Sequence, residues 1–593
     1  MNFEKDDYEK LKKLGVENLI DLALIAPVSY NNLFIQATPN IGFNNVIDAT
    51  IISSTKQGKI LKLYLYAHNF DMKIQGVIFN PRYFHQKHFL PGARLFLQGK
   101  IENSFQSLQI LQPQIIDEIN KIIPKYKTPL QNKTVISLMQ KYITKENFPT
   151  LHDIHFPSVE FVKEFEKSGF SKELIDELKY KEILNHLQKL SSKKIDFAPM
   201  KKLTNDITPF INSLPFKLTN DQLKAIEEIK RDFQSNKAAK RVIMGDVGCG
   251  KTMVILAAVM LSYPNRSILM APTTILAAQI YEETKKYLKD LKICFVSSKS
   301  EVVDLKEFDF IIGTHALLYK DLPSAPLVMV DEQHRFGTKQ RNLITKLISK
   351  GDKRPHFLQF SATPIPRTLS LIQSSIIDVT TIKELPFKKD IQTKIVSSSD
   401  FKSLINHVDS EIKKNNQIII VYPLVQESET IEYQSIQEAK GYWQDRYKNV
   451  YVTFGKDREK ESILEDFRDK GDILIATTLI EVGISLPRLS TIVIVAPERL
   501  GLATLHQLRG RVSRTGLKGY CYLFTKIKPS QRLKEFSKTL DGFEIAELDL
   551  KYRQGGDLLS GDVQSGKSFR WFNPKSDIEI LKKAKQDVLR RGC

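Results

Sequence analysis

Cysteine is scarce in this 593-residue chain: Cys249, Cys294, Cys521 and Cys593 are scattered, with no CxxC pair. Such spacing supports neither a disulfide framework nor a zinc cluster, so no zinc is expected. Also missing is any uninterrupted apolar run of the roughly 18 to 20 residues that a membrane span requires. The opening MNFEKDDYEK is charged from its fourth residue, unlike an export signal. A cytoplasmic protein, neither exported nor membrane-embedded, is the expectation. There is no low-complexity tract and no short tandem repeat. Acidic residues are the minority charge, 68 against 88 Lys and Arg, leaving a net charge of +20. A chain this basic attracts polyanions by releasing their condensed counterions. The imbalance is sharpest over residues 51–130, with 11 Lys/Arg against 4 acids. A general lysine enrichment gives the same sign, so charge alone does not settle the partner.

The length suits about four domains, since single cores stop growing near 250 to 300 residues. After a short helical opening, the segments VIDATIISST, LKLYLYAH, MKIQGVIFN, ARLFLQGKI and LQILQPQII alternate apolar and polar residues between residues 46 and 118. Five such strands predict a small OB-like barrel. Residues 121–204 turn helical and charged, as in KELIDELKYKEILNHLQKL, and read as a helical linker. From about residue 205, near-continuous apolar runs alternate with amphipathic stretches. RVIM, SILMAP, FDFIIGT, PLVMVD and HFLQFSAT form one set; QIIIVYPLV, NVYVTFG, DILIATT, TIVIVAP and GYCYLFT form a second. Strands of that kind predict parallel sheets covered on both faces, hence two α/β lobes, 205–390 and 391–525. Residues 526–593 complete the chain and end in SDIEILKKAKQDVLRR, where Ser576 and Glu579 have capping-box spacing.

Two phosphate-handling signatures lie in the two lobes. GDVGCGKT, residues 245–252, sits between the apolar Val242-Ile243-Met244 and the helical MVILAAVML. A strand turning through glycines into a helix aims backbone N–H groups at phosphate. The loop Gly245, Asp246, Val247, Gly248, Cys249 and Gly250 would cradle it, with Lys251 on the β/γ oxygens and Thr252 on Mg²⁺. LVMVDEQH, residues 327–334, is an apolar strand ending in two carboxylates; Asp331 would hold Mg²⁺ and Glu332 would polarise the attacking water. SATPIPRTL, residues 361–369, offers Ser361 and Thr363 to report nucleotide occupancy to a nucleic-acid path. HQLRGRVSR, residues 506–514, places Arg511 and Arg514 on a helix from which guanidinium groups reach across a cleft to the transferring phosphoryl group. Together these features describe a two-lobed ATP motor.

The order LTNDQ, GDVGCGKT, MAPTTILAAQ, GTHALL, DEQHRFG, SATPIPRTL, ATTLIEVGISLP and HQLRGRVSR resembles superfamily 2 helicases. DEQHRFGTKQR with SATPIPRTL points within them to the RecG family of branched-DNA helicases. LGVENLIDLALIAPVSY, residues 14–30, and QGVIFNPRYF are similar to that family's N-terminal and wedge segments. DGFEIAELDLKYRQGGDLLSGDVQSG, residues 541–566, is similar to the translocation motif it shares with the transcription-repair coupling factor. The resemblance implies an ATP- and Mg²⁺-dependent monomeric translocase that remodels forks and Holliday junctions, with R-loops and D-loops as further substrates. It also implies a role in recombination and repair and a single-stranded DNA-binding protein as a candidate partner.

By position, the resemblance assigns adenine to Gln222 and closure of the site to Gln507, Arg511 and Arg514. Glu481 and Gly483 would couple the site to DNA, with Thr273, Thr314 and His315 along the DNA path. Phe79 and Tyr83 would stack on bases at the branch point, unless they are barrel core, and Arg553 and Gln564 would serve translocation. Thr274, Ser485, Leu486 and Ser513 depart from the family pattern, Ser513 standing where a glycine is usual. The competing readings are a coupling-factor-like duplex translocase and a non-motor DNA-binding protein with a relic ATP site.

Overall fold

The computed structural model describes residues 3–591 except 105–106, 193–195, 298–303, 333–334, 338, 341–342, 345–351, 365, 367–369, 373, 376, 424–434, 455–456, 458, 478–485, 514–515 and 553–568. The chain divides into two compact units, Met1–His186 with Arg570–Phe572, and Leu187–Phe569 with Asn573–Cys593. Among the described residues no helix is long and apolar enough to cross a membrane.

Among the described residues the first unit holds seven strands: β1 (Ser29–Asn32), β2 (Asn44–Gln57), β3 (Ile60–Ala67), β4 (Met72–Phe79), β5 (Arg94–Ser104), β6 (Ser107–Ile115) and β7 (Ile122–Lys125). Strands β2 to β6 close a barrel in the order β2-β3-β4-β6-β5, as their alternation predicts. In β3, Leu61, Leu63, Leu65 and Ala67 are buried while Lys62 and Tyr64 face out, so one face builds the core and the other meets solvent. The β1–β7 antiparallel pair was not expected from the sequence. Nor do residues 121–186 behave as a linker. Their helices Asn132–Tyr142, His152–His155 and Val159–Ser168 share one core with the N-terminal helices, through Val135, Leu138 and Ile154 against Leu11 and Leu22. An apolar face already buried there leaves no free-standing helix. His155 is buried in that unit, with Tyr126 Oη 2.9 Å from Nδ1 and the Ala23 carbonyl 2.9 Å from Nε2. Because a carbonyl only accepts, Nε2 carries the proton and Nδ1 accepts from the tyrosine.

The second unit contains two parallel sheets. The first lobe has β8 (Lys240–Gly245), β9 (Ser267–Met270), β10 (Ile293–Val296), β11 (Phe310–Gly313), β12 (Leu327–Asp331), β13 (His356–Ser361) and β14 (Asp378–Ile382), ordered β10-β11-β9-β12-β13-β8-β14. The second has β15 (Ile391–Val396), β16 (Gln417–Val421), β17 (Val450–Thr453), β18 (Ile473–Ala476), β19 (Leu489–Val495) and β20 (Gly519–Phe524), ordered β15-β20-β19-β16-β18-β17. Central strands such as β9, β12 and β16 are buried at every residue, which is why they read as unbroken apolar runs. The C-terminal helices Gln531–Lys538, Gly542–Tyr552 and Ile578–Arg591 follow. The last begins at Ile578, so Asp577 and not Ser576 immediately precedes it; the Asp577 carboxylate accepts from Asn573 N–H at 2.7 Å, in the turn before the helix.

Candidate nucleotide site

Strand β8 ends at Gly245 and the helix Lys251–Ser262 begins six residues later, so the phosphate loop lies where a strand hands over to a helix N-terminus. Gly248 and Gly250 take φ of 83° and 79°, a region closed to most side chains. A Cβ on Gly250 would also lie 2.3 Å from Gln222 Nε2, so the loop and Gln222 fit together only with glycine there. Gln222 is buried; its Oε1 accepts from Thr219 N–H at 2.8 Å, and its Nε2 donates to the Cys249 carbonyl at 2.8 Å. Its amide therefore sets the loop's shape, in addition to lining the cleft. Lys251 Nζ donates to the Gly245 and Asp246 carbonyls at 2.9 and 3.1 Å.

Gln222, Lys251, Thr252, Asp331, Gln507 and Arg511 all line one cleft of about 680 Å³ between the two lobes. Asp331 ends β12, and Glu332 follows it with φ 49°. Burial, then the neighbouring Glu332 carboxylate, pushes the Asp331 carboxyl above the usual carboxylate range. Asp331 Oδ1 is buried without a hydrogen-bond partner among the described residues, an oxygen whose position suits a cation. Glu332 Oε1 accepts from Ala362 N–H at 2.5 Å, tying the carboxylate strand to the segment after β13.

The second lobe approaches through the helix Leu502–Arg509 and the turn beyond it. Gln507 Nε2 donates to Thr363 Oγ1 at 2.6 Å, and Gln507 Oε1 accepts from Arg335 at 2.6 Å. Ser361 accepts from Thr363 N–H at 3.2 Å, which fixes the turn that presents Thr363. Arg335 lies within DEQHRFG, and its place close to two carboxylates in the sequence is the one signal of this role. Also unanticipated are Lys389, from the connection between lobes, and His506, which meet Asp246 at 3.2 and 2.5 Å. Their partner lies 143 and 260 residues away, beyond any local pattern.

Thr273 and Thr314 serve as helix caps, accepting from Leu276 N–H and Ala316 N–H at 3.3 Å. His315 is exposed on the short helix that Thr314 caps, and Thr274 opens the helix Thr274–Tyr287. Phe79 and Tyr83, at the end of β4 and the start of the helix Tyr83–His88, are 47% and 81% exposed, so neither belongs to the barrel core. Leu486 is buried, and Ser513 has φ 63°, the left-handed conformation that a glycine adopts without strain. Glu481, Gly483, Ser485, Arg514, Arg553 and Gln564 lie outside the described residues.

A DEAD/DEAH box helicase family model matches residues 219–372, and a helicase conserved C-terminal domain model matches residues 399–516. The ATP-dependent DNA helicase RecG of Helicobacter pylori is 46% identical over 98% of this chain and 97% of its own length. That of Thermotoga maritima is 32% identical over 98% of this chain and 81% of its own. Among solved structures, RecG bound to a three-way DNA junction is similar with a TM-score of 0.59 at 26% identity, covering 99% of this chain and 84% of that one. The likeness extends through the barrel, which neither helicase model reaches, and the chain belongs to the RecG family of ATP-dependent DNA helicases.

Proposed function

We propose that this chain is an ATP-driven motor that remodels branched DNA, stalled forks and Holliday junctions above all. The observation that carries the reading is that the phosphate loop, the carboxylates of Asp331 and Glu332 at the end of β12 and the second-lobe residues Gln507 and Arg511 face one cleft. In this reading the phosphate loop, Gly245 to Gly250, and Lys251 hold the triphosphate, while Glu332 orients water. Arg511 and Arg514 neutralise charge that develops on the transferring phosphoryl group. Thr252 and the unpaired oxygen of Asp331 would hold Mg²⁺, which when bound neutralises the β and γ phosphates. Closure is then a property of both lobes, because Gln507 binds only when Thr363 and Arg335 are within reach.

Branched DNA is the substrate that the solved relative on a three-way junction suggests. The exposed Phe79 and Tyr83 suit unpaired bases, and the basic surplus of residues 51–130 suits backbone contacts that read structure and not sequence. A coupling-factor-like translocase is less favoured, since relatives matched along nearly the whole chain are RecG helicases. The same resemblance favours a cytoplasmic monomer working beside a single-stranded DNA-binding protein. The test is ATP-dependent unwinding of a three-strand fork, a Holliday junction and a plain duplex. Fork and junction should be unwound and the duplex left intact; equal unwinding of all three, or none with ATP, would overturn the reading.

A further inference from the structure

Asp246 is an odd residue for a loop that receives a triphosphate, because an unanswered carboxylate there repels the ligand. Its side chain is turned out of the cleft and is 4% exposed. Oδ1 accepts from Val247 N–H at 2.6 Å and from His506 Nε2 at 2.5 Å, and Oδ2 accepts from Lys389 Nζ at 3.2 Å. Arg509 Nη2 lies 3.3 Å from His506 Nδ1; an arginine only donates, so Nδ1 accepts and Nε2 carries the proton given to Asp246. Burial favours the same neutral imidazole, holding His506 below its ordinary value. Burial opposes the Asp246 charge, but the His506 hydrogen bond and the Lys389 charge outweigh it and hold the carboxyl well below the usual range.

The pair is roofed by the C-terminal region. Gly542 opens the helix Gly542–Tyr552, and a Cβ there would lie 2.7 Å from Asp246 Oδ1 and 2.8 Å from His506 Nε2. Seven residues on, Asp549 Oδ1 accepts from Leu502 N–H at 3.1 Å, capping the helix that carries His506. Arg509 of that helix donates to the Phe536 carbonyl at 3.0 Å and lies 4.1 Å over the Phe536 ring. The helix Leu502–Arg509 is thus fastened to both helices Gln531–Lys538 and Gly542–Tyr552. At Asp246, the phosphate loop joins that assembly.

We infer that Asp246 is a positioning residue: through His506, and under Gly542, its side chain transmits movement of the phosphate loop to the C-terminal helical pair without itself touching the nucleotide. The inference rests on the motor reading above. When the loop closes on a triphosphate, a carboxylate fixed at both ends carries the shift to the pair as one body. A merely structural carboxylate would stiffen the loop, and its partners' loss would weaken nucleotide affinity first.

The test uses the full chain with His506→Ala, His506→Gln and Gly542→Ala. It reads binding of a fluorescent ATP analogue, ATP turnover with and without a three-strand fork, and fork unwinding. In His506→Ala and Gly542→Ala, analogue affinity and DNA-free turnover should stay within about threefold, while fork-stimulated turnover and unwinding fall about tenfold or more. His506→Gln, whose amide N–H reaches Asp246 Oδ1, should recover to within about threefold of the wild type. Gly542→Ala keeps every polar partner and reaches the contact from the other side, so it decides the matter should His506→Ala not fold. The inference is overturned if either variant retains fork-stimulated unwinding, if affinity falls in step with unwinding, or if Gln does no better than Ala. A wild-type chain that shows no fork-stimulated turnover would instead overturn the motor reading itself.

Discussion

Replacing Gln507 by alanine removes two short hydrogen bonds between the lobes at one stroke, 2.6 Å to Arg335 and 2.6 Å to Thr363. The bond from the charged guanidinium contributes about 1.5 to 3 kcal/mol, and the neutral one about 0.5 to 1.5 kcal/mol. Their sum, about 2 to 4.5 kcal/mol, is lost from the closed state alone, because an open cleft makes neither bond. At about 1.4 kcal/mol per tenfold, turnover that requires closure should fall roughly 30-fold or more. Thr363→Val, which keeps the shape and removes only the neutral bond, should cost about 2- to 12-fold. Phosphate release is followed at saturating fork DNA over a range of ATP concentrations, so that kcat and KM separate. The cradle of the nucleotide belongs to the first lobe, so kcat should carry the loss. A kcat for Gln507→Ala within about threefold of the wild type, or a raised KM with kcat intact, refutes the argument that these bonds form with closure.

Three further outcomes are expected. Burial pulls the His155 imidazole from 6.5 to about 4, so the unfolded chain takes up that proton first as pH falls. The stability His155 contributes is therefore complete above pH 6.5 and is lost towards pH 4, about 2 to 3 kcal/mol by pH 4.5. Urea unfolding of a Trp443→Phe chain isolates Trp571, whose indole donates to the Leu24 carbonyl at 3.0 Å; an unchanged pH slope in His155→Gln would count against the assignment. Ser513→Gly should stabilise the second unit by about 0.5 to 1 kcal/mol, the left-handed strain relieved less the entropy of the new glycine, and a lowered Tm would contradict it. Phe79→Ala with Tyr83→Ala should depress fork unwinding well beyond fork-stimulated ATP turnover, since stacking on a base is worth about 1 to 3 kcal/mol; equal losses would make the rings structural.

The sequence was legible where structure is local or burial complete. Barrel strands alternate because each has one wet face, and β12 or β16 is apolar throughout because both faces are covered. The strands it hid lie on sheet margins, β10 and β14 flanking the first sheet and β15 one side of the second, whereas β17 on the other side is legible in NVYVTFG. With one neighbour each, sequences such as DVTTI and IQTKIV keep polar residues that break the apolar run. The β1–β7 pair joins segments about ninety residues apart, and no short-range pattern announces it. The same division holds for the site. Lys251, Thr252, Asp331 and Glu332 sit in motifs whose spacing fixes their geometry. Asp246 gains meaning only from His506 and Lys389, and Arg335 only from Gln507, all partners that folding brings from elsewhere.

Closure of the barrel has a mechanical meaning. Phe79 ends β4, which is laced to β3 along one side, Phe79 itself opposite Ile60, and to β6 along the other, while β5 and β2 complete the ring. A tug applied at that tip meets β3 at once and β6 as soon as it reaches Val77, so the strand does not peel away from a single neighbour. It must slide whole rows of backbone bonds past one another together, which lets so small a body resist force at the spot where an aromatic side chain is exposed.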